Sequence, residues 1–220
     1  DAAQTFLGSI YEAGAESQDA MYSDSARCLE ILHDPVMSRA AGAGAVSAGK
    51  WIATLAGQSC NLYRDMNAVA ASDIAMTAVA ASETAMEAVI SSTIALNAVA
   101  ASKTAMTAVA ANETAMVAVA ASRVAMSAII GNSTALNAVV TSSVAMTAVI
   151  NNAAALNAVV SSSTAMAAVI GNSAALNAVV SSQTAMAAIA SSSTAMAAVA
   201  TSDSAIRAMV ASTAAKTALI

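Results

Sequence analysis

Few residues in this chain carry reactive chemistry. It has one histidine, His33, so a nucleophile activated by imidazole would have to use it, and no Ser, Cys or Asp is spaced to suggest that pairing. The two cysteines, Cys28 and Cys60, lack the Cys-x-x-Cys spacing of a redox or zinc motif. They read as two buried thiols, with a single bridge between them left open. No glycine-rich phosphate loop is present. Asp73, Glu83 and Glu113 recur at one position of a ten-residue period, and three carboxylates in a row could hold a cation. Lys103 and Arg123 fall in the same column, which favours a solvated face of mixed charge. Methionines recur at the same interval; a soft-metal site is one use of such a column, and apolar core is by far the commoner. No catalytic, cofactor-binding or metal-ligating residue is therefore assigned, no cofactor is expected, and the chain does not read as an enzyme.

The elements that place these residues come from the repeat. Met66, Met76, Met86, Leu96 and Met106 occupy position six of a decapeptide that runs through Ile206, fifteen occurrences in all. Position five is alanine from Ala75 to Ala205, and position eight is alanine from Ala68 to Ala208. Position nine is Val, Ile or Met. Positions three and seven vary: Asp73, Glu83, Lys103, Glu113 and Arg123 at three, Thr77, Glu87, Asn97 and Arg207 at seven. The pattern fails at Lys216, which sits at position six.

One continuous helix cannot carry this repeat. Ten residues at about 100° each rotate every stripe by about 80°, so the unit must restart every decapeptide. Within a unit, variable positions three and seven share one helical face, and fixed positions five, eight and nine share the opposite one. Position two is nearly always Ser or Asn, the preferred N-caps, as at Ser72, Ser82, Asn112 and Asn132. Gly131, Asn151 and Gly171 at position one suit a left-handed residue ending the helix before. The alternation Thr134, Leu136, Ala138, Val140 keeps a β-solenoid open as the alternative.

A second period overlies the first. Met126, Met146, Met166 and Met186 alternate with Leu136, Leu156 and Leu176, and each of these leucines is followed by Asn. Gly131-Asn132, Asn151-Asn152 and Gly171-Asn172 precede Leu units, while Thr141-Ser142, Ser161-Ser162 and Ser181-Ser182 precede Met units. The expected fold is an all-α repeat solenoid of very short helices, ten residues per helix and twenty per coil. The two invariant alanine columns should mark the closest backbone approach.

Residues 1–64 are not repetitive and hold Trp51, Phe6, the three tyrosines, both cysteines and Pro35. Helix is expected from Gln4 to His33, on the spacing of Phe6, Leu7, Ile10, Tyr11 and Ala13, with Pro35 ending it. A second helix is expected from Ala40 to Gly57, where Lys50 interrupts the apolar run. This organisation gives a helical cap or docking region at 1–64, the solenoid at 65–212 and the end of the repeat at 213–220.

Composition narrows the functions. Net charge is −5 with no basic cluster, which argues against nucleic acid as a partner. The apolar runs are cut by Ser or Asn every ten residues, too short for a membrane span. Beginning at Asp1 with no secretory signal, the sequence reads as a mature or partial chain. An ice-binding face needs regular threonine arrays, and the columns at positions three and seven are irregular.

The repeat, as in Thr104 to Asn112 and Ala135 to Val140, resembles the alanine-rich decapeptide region of large tailed-phage fibre proteins. The resemblance covers roughly residues 64–212. It implies an extended, host-facing and commonly trimeric fibre, hence a shaft or spacer presenting a host-binding region, on a virion or extracellular surface. Its partners would be copies of itself, other fibre or virion proteins and a host-surface receptor. Two alternatives remain: a binding module reading a glycan or protein with the variable face, and a filament subunit that polymerises end to end. The repeats contain no aromatic residue, which favours the shaft.

Overall fold

The computed structural model describes residues 15–218, and all regular structure among them is helical. Four helices precede the repeat: α1 (Ala15–Tyr22), α2 (Ser25–His33), α3 (Pro35–Ala41) and α4 (Ala45–Leu55). The single helix expected from Gln4 to His33 is broken at Asp24. Its extended backbone and its carboxylate, accepting from the amides of Ala26 (2.9 Å) and Arg27 (3.3 Å), start α2 afresh. Phe6, Leu7, Ile10, Tyr11 and Ala13 lie outside the described residues. Pro35 does end α2, and it also opens α3 at the first position, capped by Asp34. The helix expected from Ala40 to Gly57 is divided around Gly42 and Gly44, leaving α4 around a fully buried Trp51.

The decapeptides then form one helix each: α5 (Met66–Ala71), α6 (Asp73–Ala81), α7 (Glu83–Ser91), α8 (Thr93–Ala101), α9 (Lys103–Ala111), α10 (Glu113–Ala121), α11 (Arg123–Ile130), α12 (Ser133–Thr141), α13 (Ser143–Asn151), α14 (Ala153–Val160), α15 (Ser163–Gly171), α16 (Ser173–Val180), α17 (Gln183–Ala190), α18 (Ser193–Ala200), α19 (Asp203–Ala211) and α20 (Thr213–Ala218). The molecule divides into two compact units at Val109/Ala110, within α9. The β-solenoid alternative fails because alanine-rich units with a capping Ser or Asn satisfy their amides within each helix.

The restart is made by position two. Ser82, for example, is extended (φ −104°, ψ 115°), ends α6 and caps α7. Along the repeat these Ser and Asn side chains accept from the amide at position five at 2.9–3.3 Å. The left-handed residue expected at position one is not used: Gly131 has φ −76°, Gly171 lies inside α15, and Gly57 alone among the described residues has a positive φ. One extended residue already frees the chain from the helix, so no glycine is needed.

Burial follows the repeat. Positions five, six and nine are buried through most of it, and three and seven are exposed, as the spacing predicts. The methionine column is therefore core: Met76, Met116 and Met186 are fully buried, each contributing about 1.5–3 kcal/mol. The alanines of position eight differ from expectation. Most are half-buried, and only position five, from Ala75 to Ala215, is sealed throughout.

Within unit 2 every helix from α10 to α17 packs on its successor and on the third helix after it: α10 on α13, α11 on α14, α12 on α15, and so to α17 on α20. Unit 1 begins the same way, with α5 on α8. A coil is therefore three helices and thirty residues, which corrects the expected twenty. The cause is the bend at each break. It measures 100° between α10 and α11, 95° between α12 and α13, and 93° between α14 and α15. Two such bends leave a helix running roughly back past its start, and the helix after the third bend lies on the first.

Serine caps fasten successive coils. In unit 2 the Ser192 hydroxyl accepts its own cap bond from Ala195 and donates to the Val160 carbonyl at 2.6 Å, thirty-two residues back. Ser142 donates to Ala110 and Ser212 to Val180 in the same way. These carbonyls end a helix and would otherwise lack a partner. In unit 1, Ser102 donates to Ala70, Ser82 to Leu55 at 3.1 Å and Ser92 to Gly42 at 2.7 Å. The last two acceptors lie at the ends of α4 and α3, and α4 packs on α5, α7 and α8, so these helices stand where a preceding coil would be.

The Met/Leu alternation acquires a different meaning. With two unit types and three helices per coil, neighbours along the chain and neighbours between coils are always of opposite type from α11 to α17. Deleting residues 141–160 keeps that rule. Deleting 141–150 or 141–170 joins two Leu units and breaks it. The expected result is a melting temperature near the parent's for the twenty-residue deletion. For the other two the loss should be about 1–3 kcal/mol, from mismatched core volumes.

Candidate functional site

The exposed positions meet in a groove between α10 and α13, both in unit 2. Its volume is about 360 Å³. Glu113 and Val117 stand on one wall, Ser143, Val144 and Thr147 on the other, and Asn151 and Asn152 close one end. The trough exists because Ala120 and Ala148 are too small to fill the space between stacked helices. A second groove of about 290 Å³, between α11 and α14, carries Arg123 and shares Ala120 with the first. Such surfaces can seat a partner's side chains. The first brings together one carboxylate, neutral amides and hydroxyls, and the second a guanidinium, an amide and a hydroxyl.

The thirty-residue coil redistributes the sequence columns. In unit 2, Glu113 stacks with Ser143, Ser173 and Asp203, and Arg123 with Ala153, Gln183 and Thr213. Asp73 and Glu83 lie on the consecutive helices α6 and α7 of unit 1, and so do not stack in one column, while Glu113 belongs to unit 2. Among the described residues no group of three or more His, Cys, Asp or Glu could hold a metal ion. Read at thirty residues, position four gives Thr134, Thr164 and Thr194 on one side of unit 2, a column that ten- and twenty-residue spacing conceals. His33 is exposed at the C-terminus of α2.

Cys28 and Cys60 are free and buried. The Cys28 thiol lies 3.5 Å from the Tyr22 carbonyl, and the Cys60 thiol 3.5 Å from that of Asp19. Burial pushes Cys28 up to about 12, with Cys60 and Asp24 adding to the effect, and burial likewise raises Cys60. The folded thiol thus holds its proton above the usual value of 9.0. Stability present below pH 9 should fall as pH rises from 9 toward 12. A thiol-specific chromophore at pH 8 should label neither cysteine rapidly in the folded chain and both after denaturation. Rapid native labelling of Cys28 would contradict its burial.

Two features have no signature in the sequence. Lys50, which reads as an interruption of an apolar helix, is buried and paired with Asp19 of α1. Gly49 lies against the start of α5: a Cβ there would sit 2.5 Å from the Asp65 carbonyl carbon. Both depend on a partner distant in sequence. Among the described residues no single helix is long and apolar enough to cross a membrane. No protein-family model matches the chain, and no curated protein matches it either.

Proposed function

We propose that this chain is a structural shaft or spacer of a viral tail fibre or surface fibre, holding a host-binding region away from its base. In this reading the decapeptides form a solenoid with three helices per coil. The observation that supports it is the stacking of the helices of unit 2, from α13 to α20, on the third before each, fastened by the Ser142, Ser192 and Ser212 bridges to carbonyls thirty-two residues back. An interface that repeats in kind can be extended by any number of coils, as a spacer requires. Phage fibres with alanine-rich decapeptides supply the analogy, and the virion or an extracellular surface is the corresponding location.

The test is to insert two and four extra thirty-residue coils after Val160, numbers that keep the Met/Leu alternation, and to measure the particles by electron microscopy. The reading expects an elongated particle that lengthens by an equal step each time, about 8–10 Å per stacked helix layer. A particle whose length does not change with added coils would contradict it. The groove between α10 and α13 favours a second reading, a module that binds a protein partner through the variable face.

A further inference from the structure

Cys28 and Cys60 meet at the last turn of α1. The Cys28 thiol donates to the Tyr22 carbonyl and the Cys60 thiol to the Asp19 carbonyl, each at 3.5 Å, and these acceptors are three residues apart on one helix face. α4 holds both from the other side. Its Trp51 donates to the Cys28 carbonyl at 3.0 Å. One turn on, its Thr54 hydroxyl donates to the Tyr22 carbonyl at 2.6 Å and is also hydrogen-bonded to the Cys60 thiol. Thr54 therefore links the surroundings of the two sulfurs. Cys60 lies between α4 and α5, outside any helix, and lines a pocket of about 310 Å³ with Asp19, Thr54, Gln58 and Asn61. Cys28 is fully enclosed.

We propose that Cys28 and Cys60 form an intrachain disulfide when the chain meets an oxidising medium, stapling α2 to the segment that leads into the repeat. The oxidant is a small-molecule disulfide such as oxidised glutathione. The Cys60 thiolate, reached through the pocket, attacks one of its sulfurs and expels a thiolate. The Cys28 thiolate then attacks the Cys60 sulfur of the mixed disulfide and expels the second. The two thiol protons pass to the two departing thiolates; the chain loses two electrons and the small disulfide gains them. Bridging strands no acceptor. The Tyr22 carbonyl keeps Thr54, and the Asp19 carbonyl keeps the Ser23 amide at 2.9 Å. Both thiols hold their protons above the ordinary range, so the exchange is slow at neutral pH and the bridge is a matter of equilibrium. The loop it closes, residues 28–60, contains α3 and α4, which stand where a preceding coil would be. The inference rests on the fibre reading only for the oxidising surroundings of a virion or extracellular surface.

The experiment equilibrates the full, reduced chain in a buffer of reduced and oxidised glutathione at extracellular poise, quenches it with acid, and reads the intact mass and the linked peptides. The wild type should become lighter by two hydrogens, with Cys28 and Cys60 in one linked pair and the bridged form at least about tenfold over the dithiol. The bridged chain should melt about 5–10 °C above the reduced one, because the cross-link restricts the unfolded chain. Cys28→Ser should carry glutathione on Cys60, whereas Cys60→Ser should keep Cys28 as a free thiol. Two free thiols in the wild type at equilibrium, glutathione on both cysteines with no bridge, a bridge between chains, or a bridged chain that melts below the reduced one would each overturn the proposal. Glutathione on Cys28 in Cys60→Ser would overturn the order of attack. A bridged chain whose length does not change with added coils keeps the staple and loses the shaft; an unbridged chain that lengthens does the reverse.

Discussion

Replacing Gly49 with alanine should cost about 2–3 kcal/mol, despite the roughly 1 kcal/mol that alanine normally gains inside a helix. The reason is contact between two backbones. The new Cβ would lie 2.5 Å from the Asp65 carbonyl carbon, 2.6 Å from the Met66 nitrogen and 2.9 Å from the Asp65 oxygen. None of these atoms belongs to a side chain that can swing aside. Asp65 is itself engaged, its carboxylate accepting from the Ala68 amide at 2.9 Å to cap α5. Moving it shifts the start of the first decapeptide helix, on which α8 stacks. A thermal melt reads the loss, expected at about 5–10 °C. Gly171→Ala is the control, because nothing lies within 4 Å of a Cβ there, and it should be neutral or stabilising. Equal melting temperatures for the two variants would contradict the close approach of α4 to α5.

Asp19→Ala should be comparably damaging, by about 3 kcal/mol, because it strands the Lys50 ammonium inside the packed α1 and α4. The Lys50 side chain is 7% exposed and that of Asp19 35%, so water moderates the loss on the acid's side and the full cost of a buried orphan charge is not reached. Removing both charges with Asp19→Leu and Lys50→Met should recover most of the stability, since an apolar pair of similar volume can replace a buried ion pair. Arg64→Ala is the exposed comparison. Its partner is Asp65 at 3.2 Å, its side chain is 85% exposed, and its removal should change stability by less than about 0.5 kcal/mol. Additive single losses in the double variant would show that Lys50 and Asp19 do not act as a pair.

These two sites also mark where sequence reasoning stops. The decapeptide helix was legible because its determinants are local: a Ser or Asn at position two, and an amide three residues on for its side chain to bond. The exposed columns three and seven followed from helical spacing. The number of helices per coil did not, because it depends on the bend at each cap, a backbone property of residues such as Ser142 (φ −101°, ψ 121°). The Met/Leu alternation has period two, which by itself suggests a coil of two helices. It records instead that neighbours in a three-helix coil differ in type. The bridge from Ser192 to Val160, the pairing of Lys50 with Asp19 and the approach of Gly49 to Asp65 all join residues more than a helix apart. No local pattern announces any of them. The groove was hidden for the same reason: Glu113 and Ser143 look unrelated until thirty residues become one turn.

The central claim, a coil of three helices, is tested most directly by distance. Spin labels placed pairwise at Asn137, Asn157 and Ala167, with Cys28 and Cys60 replaced by serine, sit on exposed position seven of α12, α14 and α15. Because α12 packs on α15, the pair at 137 and 167 should be separated by about one interhelical spacing, 8–10 Å plus the label arms, and should show strong dipolar broadening. The pair at 137 and 157 should be clearly farther apart, with a weaker interaction. A stronger interaction for 137 and 157 than for 137 and 167 would restore the twenty-residue coil and contradict the account.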